Sequence, residues 1–263
     1  MDSDFTEKDT YEQRFVPKDY LEMYYSFGPR SCVDNDLLVF RLKILHKAFI
    51  LDGINGDTLI DIGSGPTIYQ LLSACESFKE IIATDYTEQA CQELHKWLKN
   101  EPGAFDWSPV VKRVCELEGD REKSADKEEK LRKTVKRVLK CDVTQPNPLA
   151  PESLPQADCL LSTLCLEAAC KDLATYHSAI KNITSLLKPG GHLVLLAVLE
   201  ETYYMIGQCQ FSCLYLEQEM IVEAVREAGY EVKCVEVILN QHSRTVTDAK
   251  GVCAVIAQKH REK

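Results

Sequence analysis

The run Asp61-Ile62-Gly63-Ser64-Gly65-Pro66 constrains the fold of this chain more than any other stretch. Thr58-Leu59-Ile60 before it is short, apolar and partly β-branched, which reads as a buried strand. Two glycines then let the backbone turn sharply and approach a ligand. Pro66 falls where a helix takes its first residue, since the N–H it lacks has no partner there. Thr67 to Cys75 is predicted to continue as that helix. Strand, glycine turn and helix together make a nucleotide-type pocket at the carboxyl edge of a parallel sheet. About 20 residues further on, Ile81-Ile82-Ala83-Thr84-Asp85 reads as a second strand ending in a carboxylate, placed to grip a pair of ribose hydroxyls.

Taken alone, the pattern leaves three readings open. A dinucleotide fold wants Gly-x-Gly-x-x-Gly, and the last position is Ile68. An acid at Asp61 before Gly-x-Gly, with Asp85 closing the next strand, looks like an S-adenosylmethionine-dependent methyltransferase. The third reading is a tight turn with no ligand, which has no need of an acid ending the following strand.

The 263 residues suffice for one large α/β domain, and the formal charge of −10 argues against a nucleic-acid partner. The acidic, polar start shows no secretory signal, and the apolar run Leu193 to Leu199 is too short to span a bilayer. A cytoplasmic monomer is expected. Twelve cysteines without Cys-x-x-Cys spacing read as small buried hydrophobes rather than as disulfides or metal ligands.

Residues 1 to 30 are rich in aromatics, and Tyr20, Tyr24 and Phe27 fall at helical spacing. Residues 1–50 are therefore expected to form a helical lid, closing over a core of 51–263. Asp34 to Phe49 is predicted as a capped amphipathic helix. Helices are expected over Glu88–Lys99 with Thr87 as cap, Trp107–Leu117, Asp172–Leu187 and Leu216–Ala228. Glu118 to Lys136 is almost all charged and reads as solvated. Further strands are expected at Val138–Val143, Ala157–Thr163, His192–Leu199, Glu231–Ile238 and Val252–Gln258, with a hairpin insertion near 200–215. Lys188-Pro189-Gly190-Gly191 is expected to stop the helix before it. Strands alternating with helices give a doubly wound sheet.

Longer stretches narrow the choice. Asp57 to Glu76, Trp97 to Ser108, Lys136 to Thr144 and Tyr203 to Gly207 resemble the family of nicotinamide, indolethylamine (thioether) and phenylethanolamine methyltransferases. The resemblance runs essentially end to end. It implies a class I methyltransferase fold, a Rossmann-like α/β sheet that is mostly parallel with an antiparallel strand near the C-terminus. The implied cofactor is S-adenosyl-L-methionine, leaving as S-adenosyl-L-homocysteine. Positions matching the family's cofactor residues are Tyr20, Tyr25, Gly63, Ser64, Gly65, Tyr69, Asp85, Tyr86, Asp142, Val143 and Thr163. Ala90 replaces an Asn that in the family often touches the ribose.

On the acceptor side the resemblance points to Ala197, Glu201 and Cys213, and Tyr24 and Tyr204 are expected to add aromatic walls that suit a cationic sulfonium. Ala197 stands where nicotinamide enzymes place an Asp, so an apolar floor at Ala197 and Val198 and an amine or thioether acceptor are expected. Methyl transfer by direct displacement asks for orientation and water exclusion, without a catalytic nucleophile or a metal. The partner is a small-molecule acceptor.

Overall fold

A computed structural model describes residues 5–26, 35–119, 123–240 and 246–261. Strands β1 (Gly56–Ile62), β2 (Phe78–Asp85), β3 (Val135–Lys140), β4 (Ala157–Thr163), β5 (Leu187–Leu199), β8 (Tyr230–Leu239) and β9 (Gly251–Lys259) form one sheet in the order β3-β2-β1-β4-β5-β9-β8. All neighbours from β3 to β5 are parallel, and β9 runs antiparallel to both β5 and β8. The expected mixed sheet is present. The chain steps outward from β1 to β3, then returns to β4 on the other side of β1. That reversal opens a crevice above the carboxyl ends of β1 and β4.

Apolar strands bury both faces of this sheet. One face, with Leu59, Ile81, Leu161 and Leu196, packs under helices that include α3 (Asn35–His46), α4 (Glu88–Leu98) and α5 (Ser108–Leu117). The other, with Ile60, Leu160 and Leu195, packs under α8 (Leu173–Thr184) and α9 (Gln218–Glu227). Thr87 caps α4 as expected, its Oγ1 accepting from the Ala90 N–H. Most of the described cysteines are buried free thiols. Among the described residues no helix is long and apolar enough to cross a membrane.

The N-terminal segment supplies α1 (Lys8–Arg14) and α2 (Pro17–Tyr25). Tyr20 and Tyr24 lie on α2; Phe27 and Asp34, which belonged to the expected stripe and cap, lie outside the described residues. The α-helix expected to Phe49 ends at His46 and widens into a π-helical turn, Lys47–Leu51, where the Asp52 N–H reaches back to the Lys47 carbonyl. Strands β6 (Tyr203–Ile206) and β7 (Cys209–Ser212) form the hairpin inserted after β5.

Several elements differ from the sequence expectation. Thr67 to Cys75 is not an α-helix but two short 3-10 turns, Tyr69–Leu71 and Ala74–Glu76. Side chains take over the backbone partners a helix would use. Thr67 Oγ1 donates to the Ser64 carbonyl at 2.9 Å, and Gln70 Nε2 donates to the Ser64 and Thr67 carbonyls at 3.2 and 3.1 Å. Strand β3 begins three residues early and stops at Lys140, so Cys141, Asp142 and Val143 form the loop beyond it. Helix α8 ends at Thr184, and Lys188–Gly191 instead bulges out of β5, where Ala157 pairs with Leu187 but Cys159 already pairs with His192. Within the charged stretch, helix α6 (Ser124–Thr134) buries Lys127 completely between Glu76, at 2.5 Å, and Glu118. That stretch is therefore only partly solvated.

Candidate active site

A cavity of about 450 Å³ occupies the crevice above β1, β2 and β4. Its wall includes every position singled out above for the cofactor: Tyr20, Tyr25, Gly63, Ser64, Gly65, Tyr69, Asp85, Tyr86, Asp142, Val143 and Thr163. Tyr24, Glu201, Tyr204 and Cys213 also line it. Ala197 does not. It is fully buried on the opposite face of the sheet among the core of α8 and α9, and Val198 meets the cavity in its place. Successive strand residues point to opposite faces, so both could not form one floor. Ala90 is buried away from the cavity beside Phe15, Ile206 and Phe211.

The glycine turn has the geometry that glycine alone tolerates. Gly63 has φ +71°, and a Cβ built on it would lie 2.1 Å from Cys165 Sγ. Gly65 has φ +57° and open space where a side chain would be, which leaves its backbone bare to the cavity. The Gly65 N–H donates to Asp85 Oδ2 at 2.9 Å, while the N–H and hydroxyl of Thr87 donate to Oδ1 at 2.9 and 3.0 Å. Burial pushes the Asp85 carboxyl above its usual range, against the pull of those donors. Behind the turn, Asp61 Oδ2 accepts from Ser64 and Gln70. Burial, only partly offset by these bonds, pushes Asp61 up to about 7.

At one end of the cavity Asp142 accepts from Lys8 Nζ at 2.6 Å and from Thr144. Burial works to raise this carboxyl, but the Lys8 and Thr144 donors outweigh it and hold Asp142 below its usual range. The ammonium groups of Lys8 and Lys140 lie 5.5 and 5.0 Å from the centre of the neighbouring Tyr86 ring. The roof is aromatic: Tyr20 stands 5.2 Å from Tyr24 and 5.7 Å from Tyr25, and Tyr25 stacks on Tyr69 at 5.4 Å. Tyr24 ties α2 to the hairpin through a 2.8 Å bond to the Met205 carbonyl.

Two buried carboxyl groups lie at the hairpin end. Glu167, on α7 (Leu166–Ala169), accepts from the Val198 N–H through Oε1 at 2.8 Å, and its Oε2 has no partner among the described residues. Glu201 accepts a hydrogen bond from the Thr247 hydroxyl, which in turn accepts from the Ala249 N–H at 3.0 Å. Desolvation pushes each carboxyl to about 7, in the case of Glu167 with Glu201 nearby adding to the rise.

Sequence reasoning missed Glu167, Thr247, Lys8 and Arg41, all on the cavity wall. For Glu167 a signal was available: an acid four residues past Thr163, at the carboxyl end of the strand beside the switch point, where such sheets collect ligand contacts. The other three come from distant segments whose approach no local pattern encodes.

The residues fit S-adenosylmethionine better than a dinucleotide. A pyrophosphate wants the N-terminus of a helix behind the glycine turn, and that helix is absent here. What the turn offers instead is bare backbone beside a carboxylate, with phenols opposite. The fold and site define an S-adenosylmethionine-dependent methyltransferase.

Known proteins agree. The model of the NNMT/PNMT/TEMT family matches residues 3–260. Nicotinamide N-methyltransferase of Sus scrofa is 62% identical over 259 residues, covering 98% of both chains. Indolethylamine N-methyltransferase of Mus musculus is 51% identical over 249 residues, covering 95% of this chain and 94% of that one. An N-methyltransferase of Bradyrhizobium japonicum, solved with S-adenosyl-L-homocysteine, shares the fold at 13% identity, with a TM-score of 0.54 over 92% of this chain and 96% of that one. The chain belongs to the NNMT/PNMT/TEMT family.

Proposed function

We propose that the protein methylates the nitrogen of a small amine held at Glu167 and Glu201, with the cofactor lying along the cavity. In this placement the adenine meets Asp142 and Val143, the ribose hydroxyls meet Asp85, and the amino-acid end lies under Tyr20, Tyr25 and Tyr69. The acceptor lies between the sulfur and the hairpin, against Tyr24, Tyr204 and Val198.

One observation carries the acceptor half. Glu167 Oε2 is buried on the cavity wall with no donor among the described residues. An unfilled buried acceptor costs free energy until a donor arrives, and an amine N–H is such a donor. A thioether brings none.

The bound cofactor supplies a methyl group already activated by the positive charge of its sulfonium. The chain supplies the rest. The tyrosine roof excludes water and offers ring faces to a cation. Glu201, pinned by Thr247, fixes the acceptor's direction. Glu167, with a carboxyl at about 7, can take up the proton an alkylamine sheds. Holding the reacting atoms in line contributes up to roughly 7–11 kcal/mol.

A second reading is favoured by the 62% identity to a nicotinamide N-methyltransferase. A carboxamide N–H could satisfy the same oxygen. Turnover of nicotinamide, tryptamine, phenylethanolamine and a dialkyl thioether, on wild type and Glu167→Gln, separates the two. Amines are expected to lead the panel, and Glu167→Gln to lower their kcat/KM by roughly 10- to 100-fold, the worth of a hydrogen bond to a charged group. Nicotinamide turnover with inert amines would overturn the amine reading.

The same variant has a stability signature. The folded Glu167 carboxyl sits at about 7 against an ordinary 4.5. Its folded state therefore holds a proton that the unfolded chain has released, and stability falls as pH rises from 4.5 to 7. Glu167→Gln removes that penalty, so its melting temperature at pH 8 should exceed that of wild type.

A further inference from the structure

We infer that Arg41 is the counter-charge for the carboxylate of the cofactor's amino-acid end, tightening cofactor binding while destabilising the empty protein. Arg41 lies on α3 and is 7% exposed, yet it lines the cavity beside Tyr25, Tyr69 and Thr163. Its Nη1 donates to the phenol oxygens of Tyr69 at 3.0 Å and Tyr25 at 3.3 Å, and its Nε donates to the Leu37 carbonyl at 3.3 Å. The guanidinium carbon lies 4.8 Å from the centre of the Tyr69 ring.

All of these partners are neutral. Burial holds both phenols well above their usual range, so they stay protonated. None of the ion pairs formed among the described residues includes Arg41. A guanidinium stays charged even when buried, so a cation without a counter-ion is costly until an anion arrives.

The position selects the anion. A phenol that accepts from Arg41 can still donate its own proton; for Tyr25 that proton faces the cavity when the Tyr20 hydroxyl, 3.4 Å away, is the donor of their shared contact. Tyr25 and Tyr69 thus present two O–H donors with a positive charge behind them, a setting for a carboxylate. Asp85 and Asp142 occupy the ribose and adenine side in the placement proposed above, on which this inference rests, and the end left over is the amino-acid end.

Calorimetry with two ligands isolates the effect. S-adenosylhomocysteine carries the carboxylate; 5′-methylthioadenosine has the same nucleoside and lacks the amino-acid tail. Arg41→Leu is expected to weaken S-adenosylhomocysteine about tenfold, the scale of one charge-assisted contact. It should leave methylthioadenosine within about twofold, because only the tail is addressed. The empty Arg41→Leu protein should melt higher than wild type. Arg41→Gln, neutral and still able to reach a phenol, gives the same comparison if the leucine variant folds poorly. Equal losses for both ligands with a lower melting temperature would mark a merely structural residue and overturn the inference, as would unchanged S-adenosylhomocysteine affinity. If wild type binds neither ligand, the cofactor placement itself falls, and the inference with it.

Discussion

Asp85→Ala is expected to bind S-adenosylhomocysteine about 100-fold more weakly than wild type. A carboxylate facing two ribose hydroxyls makes two charge-assisted hydrogen bonds, each worth roughly 1.5–3 kcal/mol. Losing even the lower figure twice exceeds the 2.8 kcal/mol or so that corresponds to a factor of 100. The substitution also strips partners from the Gly65 N–H and from the N–H and hydroxyl of Thr87, which loosens the turn itself. Asp85→Asn keeps a carbonyl oxygen for one set of these donors but loses the charge and turns an NH2 donor toward the other set, so it should fall in between. Calorimetry gives the affinities, and thermal melting of the empty variants separates lost ligand contacts from lost structure. Affinity unchanged in Asp85→Ala would mean that the ribose does not lie there.

Gly63→Ala is expected to have a comparably large effect for a different reason. The added methyl would sit 2.1 Å from Cys165 Sγ and 2.5 Å from its Cβ. Overpacking of this kind costs about 1–3 kcal/mol. A left-handed backbone, here φ +71°, adds roughly 1–2 kcal/mol for any residue with a Cβ. A total of about 3 kcal/mol should lower the melting temperature by roughly 6–12 °C in a chain of this size. Cofactor binding should be lost with it, because relief of the clash must move the turn or the segment after β4. Cys165→Ala is not expected to restore Gly63→Ala fully, since the Cβ of residue 165 remains in the way. A variant that melts and binds like wild type would show that the turn is not held as described.

The strength of local signals explains what was legible. β4 was read to the residue, because its apolar centre Cys159–Leu161 lies between a proline-rich crossing and a turn. The Thr87 cap was legible because a cap is a local bond, and the bond is made; Asp172, read as the first helical residue, proves to be the cap of α8. The helix after Pro66 was not, since what dissolves it is Gln70 reaching back to Asp61 and to the turn, a contact that exists only once the turn has formed. Ala197 was placed on the wrong face for a related reason. Leu193 to Leu199 is apolar throughout, and a strand buried on both sides carries no alternation from which to read its parity. The charged stretch hid Lys127 because burial of a lysine depends on carboxylates from elsewhere, here Glu76 and Glu118. The glycine-turn side of the cavity was more legible than the hairpin side: Gly63, Gly65, Asp85 and Thr163 cluster at strand tips, whereas Glu167, Glu201 and Thr247 meet from three separated segments.

The central claim is that S-adenosylmethionine lies across the carboxyl tips of β1 and β2 beneath the phenols of α2. A crystal grown with S-adenosylhomocysteine tests it most directly. The ribose should appear on Asp85, the adenine beside Asp142, and the amino-acid carboxylate within hydrogen-bonding reach of Tyr25 and Tyr69. A ligand bound elsewhere, or this cleft vacant at saturating ligand, would contradict the account.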